Sequence, residues 1–330
     1  MIKQLMKVAA FFIAILMIVS CKSTGKQTAA SDMSLLSDLT SPVLLQGNNR
    51  MAYRDPLILH EDGKFWLFYS IATNQTDTVI QGEAFWQTAY STSTDLKQWS
   101  DPIAITPQDL TLNFCSPGSI TKHDGEWVMS LQSYPTPNGE KFGNDSSRLW
   151  ITRSTDLSHW SDPEMIYFMG PDVSNDSIPR MIDPCIIPDK DIPDKWWCFC
   201  KIKQTGVSMA WSNDLKVWNY EGRIDGGENP CVIVQDNEYV LFHSPSNGIG
   251  VKRSENLHDW QDTRLLLLNQ QHWDWAQGRL TAGYVLDARD LPGVGHYLMV
   301  FHGEKDNNSF TVNSSIGIAW SKDLENWQWP

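Results

Sequence analysis

Three acidic residues stand just before prolines in parallel contexts of this chain, in Arg54-Asp55-Pro56, Ile182-Asp183-Pro184 and Glu228-Asn229-Pro230. Carboxyl groups gathered from distant sequence can divide the roles of proton donor and proton acceptor, because burial and mutual repulsion push their pKa values apart. Taken singly, an Asp-Pro is ordinarily a turn or strand-opening device. What sets these three apart is that they recur at matching positions of a repeat, with Ser116-Pro117 filling the same place between the first and the second. The expected catalytic group is Asp55, Asp183 and Glu228.

The repeat that must position them is written twice over. A seven-residue phrase, Ser, then Asp or Asn followed by Leu, then Trp three residues later, returns at Ser93-Thr-Asp95-Leu96-Lys-Gln-Trp99, Ser154 to Trp160, Ser212 to Trp218, Ser254 to Trp260 and Ser321 to Trp327. A period of roughly 40 to 70 residues marks an array of supersecondary units, none of which can bury its apolar face alone. Ser and Asp hydrogen-bond nearby backbone in a tight turn, while Leu and Trp fill the space between units. Ahead of each phrase lies a proline opening, a short apolar run, a polar turn and an aromatic run, as in "LILHEDGKFWLFYS" after Asp55-Pro56. Asp62-Gly63, Asp124-Gly125 and Asp236-Asn237 read as hairpin turns. The fifth unit, "GRLTAGYVLDARDLPGVGHYLMVFHGE", follows the pattern more loosely. Two hairpins per unit and five units predict an all-β, five-bladed β-propeller with four-stranded blades, whose innermost strands bring the three acids to one mouth of the channel.

Residues 1–20 read as a lipoprotein signal peptide, with Lys3 and Lys7 ahead of an apolar run too short for a comfortable membrane span. Ile18-Val19-Ser20-Cys21 looks like a bacterial lipobox, with Cys21 the lipidated first residue of the mature chain; ordinary cleavage with an incidental Cys is the alternative. Residues 21–45 read as a tether, and residues 46–330 as the propeller. The net charge of −13, with no Lys/Arg block, speaks against a nucleic-acid partner. Cys115, Cys185, Cys198, Cys200 and Cys231 show no zinc spacing and are expected as buried free thiols, a disulfide being the alternative.

Of the sixteen Trp residues most belong to the two repeats and to the core. Trp86, Trp273 and Trp275 lie outside both and are candidates for a platform on which a sugar ring rests, packing being the alternative. Arg54, Arg180 and Arg279 could hydrogen-bond sugar hydroxyls or carboxylates, or else serve as structural partners of acidic turns. His302 is a further substrate-binding candidate.

These motifs resemble the five-bladed propeller glycoside hydrolases, families 43, 62, 32, 68 and 117 among them, over residues 46–330. The sentence "RDPLILHEDGKFWLFYS" is most similar to family 43. Family 32 normally shows Asn-Asp-Pro-Asn-Gly, and Arg54 and Leu57 in those places weigh against fructans. The resemblance implies an inverting mechanism in which Asp55 is the general base, Glu228 the general acid, and Asp183 a neighbour that raises the Glu228 pKa; families 32 and 68 instead use the first Asp as a nucleophile with retention. It also implies that blade five can give a His to a calcium or water site, so calcium is compatible with the chain but no cofactor is required and no metal ligand set is expected.

The implied function is hydrolysis of plant or algal oligosaccharides or polysaccharides, by an inverting exo-acting α-L-arabinofuranosidase or β-xylosidase. The alternatives are a retaining or anhydrogalactose-type hydrolase of a related family and a catalytically silent carbohydrate-binding propeller. A phosphorylase would need a basic cluster facing the channel, and none is visible in the sequence. Insertions at residues 73–88 and 134–147 favour exo action by closing one end of the pocket. The expected setting is a monomer at the bacterial cell envelope, touching the membrane only through its lipid anchor.

Overall fold

A computed structural model describes residues 34–74, 83–203 and 205–330. The signal peptide and the lipobox around Cys21 lie outside the described residues, as do residues 75–82 of the insertion at 73–88. The remainder forms five antiparallel sheets. Blade one runs Met51–Glu61, Lys64–Thr73, Phe85–Ser93 and Ile103–Ala104, and blade two Cys115–His123, Glu126–Gln132, Leu149–Ser154 and Glu164–Met165. Blade three is Met181–Pro188, Trp196–Ile202, Thr205–Ser212 and Asn219–Ile224, and blade four Glu228–Gln235, Glu238–Ser244, Ile249–Ser254 and Gln261–Leu266. Blade five has Arg279–Ala288, His296–Glu304 and Ser314–Ser321. Its outer edge is shared by Val43–Leu45 from the front of the chain and Trp327–Gln328 from the end. That pairing corrects the extent of the expected tether. From residue 34 the chain is already docked, with Leu36 and Leu39 buried in the core and the Leu35 N–H donating to the Gly293 carbonyl (2.7 Å).

The local chemistry of the repeat explains this regularity. Asp62-Gly63, Asp124-Gly125 and Asp236-Asn237 have positive φ at both residues, the two-residue hairpin whose twist matches that of its strands. In each seven-residue phrase the Leu sits in the left-handed region, at φ 61, 64, 58, 68 and 63 for Leu96, Leu157, Leu215, Leu257 and Leu324. A branched residue pays for that conformation by about 1–2 kcal/mol. The phrase offsets it: Asp95 Oδ1 accepts from the Lys97 and Gln98 N–H groups, and the Trp99 indole donates to the Leu96 carbonyl (3.2 Å). The same indole bond recurs at Trp160, Trp260 and Trp327. Trp160 of the second phrase packs edge-on against Phe68 of blade one, and Trp327 of the fifth against Phe242 of blade four, so these tryptophans do fill the space between blades.

Blades approach closely near the channel. A Cβ on Gly118 would lie 1.4 Å from the Pro184 carbonyl oxygen, so blades two and three meet there through a position that admits no side chain. Cys115, Cys185, Cys198, Cys200 and Cys231 are buried free thiols.

Candidate active site

All five innermost strands carry a bulge at the same place, between Arg54 and Leu57, Cys115 and Ser119, Ile182 and Cys185, Glu228 and Cys231, and Thr281 and Tyr284. At each bulge one residue takes positive φ: Asp55 at 46, Ser116 at 52, Asp183 at 57, Asn229 at 50 and Ala282 at 56. Asp and Asn tolerate this region better than most residues, and bulges re-aim side chains at functional sites. The fifth opening is thus Ala282-Gly283, which the looser sequence pattern had obscured. Glu228 stands one residue earlier than Asp55 and Asp183 in the repeat, level with Arg54. Beneath the bulges the channel narrows to a cavity of about 30 Å³ lined by Asp55, Ser116, Asp183, Asn229 and Ala282 with their following residues. Above them opens a pocket of about 550 Å³ that Asp55, Asp183 and Glu228 all line. Its size is within the ~300–1,000 Å³ usual for small-molecule sites.

Each acid is held differently. Asp55 donates its N–H to His302 Nδ1 (3.0 Å), and its Oδ2 accepts from the Ser70 hydroxyl (2.9 Å), whose oxygen accepts the Ser116 N–H from blade two (2.7 Å). Burial raises its pKa, with the Arg54 charge opposing. Asp183 donates its N–H to Gln132 Oε1 (2.6 Å) and accepts from the Ser116 hydroxyl (3.2 Å) and the Asn229 N–H (3.3 Å). Burial first, then the charges of Glu228 and Asp55, lift its carboxyl to about 7. Glu228 accepts from Lys201 Nζ and Arg279 Nη2, both at 2.5 Å, while Arg279 Nε donates to the Ser246 carbonyl (2.6 Å). Burial works to raise Glu228, but Arg279 and then Lys201 overcome it and hold the carboxyl at about 2. The order expected from sequence is therefore inverted. Asp183 and Glu228 titrate as a pair, and two cations on Glu228 send the proton to Asp183.

The remaining candidates divide. Arg54 and Arg180 line the pocket, as does Trp86. Arg54 is buried in an ion pair with Glu304 (2.8 Å) and lies over the Phe310 ring. Trp86 packs between Tyr134 (5.8 Å) and Phe310 (5.4 Å), and Phe310 meets Phe142 edge-on (5.2 Å), which makes one wall aromatic. Trp273 and Trp275 are a correction: they stack on each other and on Phe301 in the core of blades four and five. A Cβ on Gly303 or Gly317 would lie 2.5 Å from the Trp275 ring, so these glycines make its berth. His302 is a second correction. Fully buried, it positions Asp55 from below and does not line the pocket.

His302 also tests the fit of a cation. Burial lowers its pKa, so the ring is neutral; since Nδ1 accepts the Asp55 N–H, the proton is on Nε2, which has no partner among the described residues. A protonated nitrogen offers no lone pair, and Ca²⁺ requires several oxygen ligands. Among the described residues no three His, Cys, Asp or Glu side chains cluster as metal ligands. These residues do not fit a calcium ion at His302.

Lys201, Gln132, Ser70, Glu304, Lys141, Phe142 and Phe310 escaped the sequence reading. Lys201 and Ser70 lie at strand ends paired with the bulged openings, Arg54 opposite Ser70 and Ile182 opposite Lys201, a signal available once the strands are registered.

Several solved structures share the fold. An exo-1,5-α-L-arabinanase from a bovine ruminal metagenomic library is 18% identical, with 82% of this chain and 93% of that one covered and a TM-score of 0.55. A family 43 β-xylosidase/α-arabinofuranosidase from a compost microbial metagenome, solved with xylotriose, is 12% identical over 87% and 98% of the two chains, at a TM-score of 0.60. An α-L-arabinofuranosidase from Podospora anserina is 12% identical over 85% and 95%, at 0.59. No curated protein matches the sequence. Ring, bulged openings and acid-lined pocket define a five-bladed propeller glycosidase. Residues 54–235 match the family model "Glycosyl hydrolases family 32 N-terminal domain", and the chain belongs to that family.

Proposed function

We propose that this glycoside hydrolase removes terminal pentose units, arabinofuranosyl or xylosyl, from oligosaccharides of plant or algal polysaccharides, with inversion as in the family 43 pattern; the match to the family 32 model favours the competing reading, retention with Asp55 as nucleophile, and the anomeric form of the product decides between them. The observation that carries the reading is that Asp55, Asp183 and Glu228 line a single pocket, the first raised by burial, the second raised to about 7 and the third held at about 2. Glycoside hydrolysis needs a carboxylate to activate water and a protonated carboxyl to serve the leaving oxygen. Asp55, raised in pKa and oriented by Ser70 and His302, acts as the base. Asp183 and Glu228 share the proton. A sugar hydroxyl that engages Arg279 weakens its hold on Glu228, and the shared proton moves to Glu228, the acid facing the leaving oxygen. The aromatic wall and the residues 134–147 loop, which contributes Tyr134, Lys141, Phe142 and Gly143, support an exo mode. The activities of the exo-1,5-α-L-arabinanase and the β-xylosidase/α-arabinofuranosidase that share the fold support the pentose preference. Screening the purified protein against nitrophenyl pentosides and arabino- and xylo-oligosaccharides tests it; turnover confined to other sugars would overturn the pentose assignment.

The same carboxyls set a pH dependence. Asp55 must be ionised, and its raised pKa puts the acid limb of kcat/KM above the ordinary aspartate value of 3.8. The pair must keep one proton, so activity declines as pH passes about 7. A profile still flat at about pH 9 would contradict the sharing of that proton.

We also propose that Cys21 is lipidated and anchors the protein at the cell envelope, on the support of the Ile18-Val19-Ser20-Cys21 sequence. Two or three acyl chains anchor stably where one does not. Cys21→Ala is expected to shift the protein from the membrane to the soluble fraction or to block its processing. Wild-type protein found soluble with an unmodified amino terminus would remove the anchor from the account.

A further inference from the structure

The pocket is more basic than the chain around it. Five cations and four carboxyl groups line it, in a protein whose net charge is −13. Sequence reading found no basic cluster; folding assembles one from four blades. Three of its members are engaged by acids, Arg54 by Glu304 and both Lys201 and Arg279 by Glu228. Arg180 and Lys141 are not: among the described residues neither has a carboxylate within ion-pair distance.

Both cations are tied to Phe142. Arg180 Nη2 donates to the Phe142 carbonyl (2.8 Å), one residue from Lys141, and its guanidinium lies over the Tyr134 ring at 5.4 Å. Lys141 lies over the Phe142 ring at 4.8 Å. Lys141 and Phe142 are exposed and Arg180 half-buried, so the pair stands at the mouth, while Asp183 lies deeper. Two like charges that line one pocket mouth without a carboxylate partner favour an anion there. A guanidinium with one N–H committed to a carbonyl keeps others for a carboxylate or sulfate, whose geometry its fork matches. The aromatic wall next to it offers an apolar face to the ring that carries the anion.

We propose that the substrate is an acidic oligosaccharide: the sugar held at the pocket mouth, on the leaving-group side of the scissile bond, bears a carboxylate or sulfate that Arg180 and Lys141 bind. This rests on the hydrolase reading above and narrows it to a neutral terminal unit linked to a charged one.

Binding of trigalacturonic acid and its methyl ester, and of a sulfated carrageenan oligosaccharide and its desulfated form, to the purified protein tests the proposal by calorimetry. At least one charged member is expected to bind about tenfold or more tighter than its neutral partner, with the margin shrinking as salt rises. Which pair shows the margin separates carboxylate from sulfate. Lys141→Gln, and Arg180→Gln with Lys141→Gln, are expected to reduce or abolish the margin between the charged and the neutral member of a pair. Since Arg180 also holds the Phe142 carbonyl, the single Lys141→Gln variant keeps the test valid if the double variant loosens the loop. Equal affinity within both pairs, or a margin that survives in both variants, overturns the proposal. So does sugar phosphate among the products when inorganic phosphate is supplied, because the cations would then serve phosphorolysis. Hydrolysis of neutral substrates with no charge preference sinks this inference and leaves the hydrolase reading intact; charge-selective binding without any hydrolysis does the reverse.

Discussion

Asp55→Asn is expected to lower kcat by about 10²–10⁴-fold, the usual worth of a positioned general base, and to leave the fold unchanged. The second half of that expectation follows from the site. Asn tolerates positive φ as well as Asp does, so the bulge at φ 46 survives. An amide oxygen can still accept the Ser70 hydroxyl, and the backbone N–H still donates to His302. What the substitution removes is the ability to take a proton from water. Turnover near the wild-type level in a folded Asp55→Asn protein would deny Asp55 its role.

Glu228→Gln is expected to cost a similar factor, about 10²–10⁴, but unevenly across substrates. A proton donor matters most when the leaving group is a poor one, as a sugar hydroxyl is. The loss should therefore be large on oligosaccharides and much smaller on nitrophenyl glycosides, whose leaving group departs without help. The substitution also strands Lys201 and Arg279 beside a neutral amide, which raises the pocket's positive charge and favours ionised Asp183. With no carboxyl left to deliver the shared proton to the leaving oxygen, the alkaline limb of the pH profile should flatten on nitrophenyl glycosides. Asp183→Asn, by contrast, should slow both substrate types. If Asp183→Asn instead shows the leaving-group dependence and Glu228→Gln does not, the donor and the neighbour exchange roles.

The fold was open to sequence reading because the repeat is written in residues with strong local preferences. Asp-Gly and Asp-Asn specify the hairpins, and the Ser-x-Asp-Leu phrase caps its own turn. The left-handed Leu of that phrase was not foreseeable from propensity, since a branched side chain argues against it; the capping bonds around it override the preference. Asp55, Asp183 and Glu228 were legible as a group because their prolines recur in register. Their protonation order was not, because it depends on Lys201 and Arg279, which reach Glu228 from blades three and five across the pocket. Trp273 and Trp275 misled for a related reason. They stand outside both repeats, and only Gly303 and Gly317, two glycines within strands, hinted that a large ring must pack against them. The tether was read too long because Leu36 and Leu39 are sparse among polar residues, yet each finds a core site that the ring provides.

The most direct test of the central claim, that these carboxyls hydrolyse a glycosidic bond with Asp55 acting on water, is the anomeric form of the first product. Proton NMR during the opening minutes of hydrolysis, before mutarotation, distinguishes the two outcomes. The released sugar is expected to appear first with the configuration opposite to that of the bond cleaved, and this signal to be lost in Asp55→Asn. Release with retained configuration would make Asp55 a nucleophile and contradict that claim.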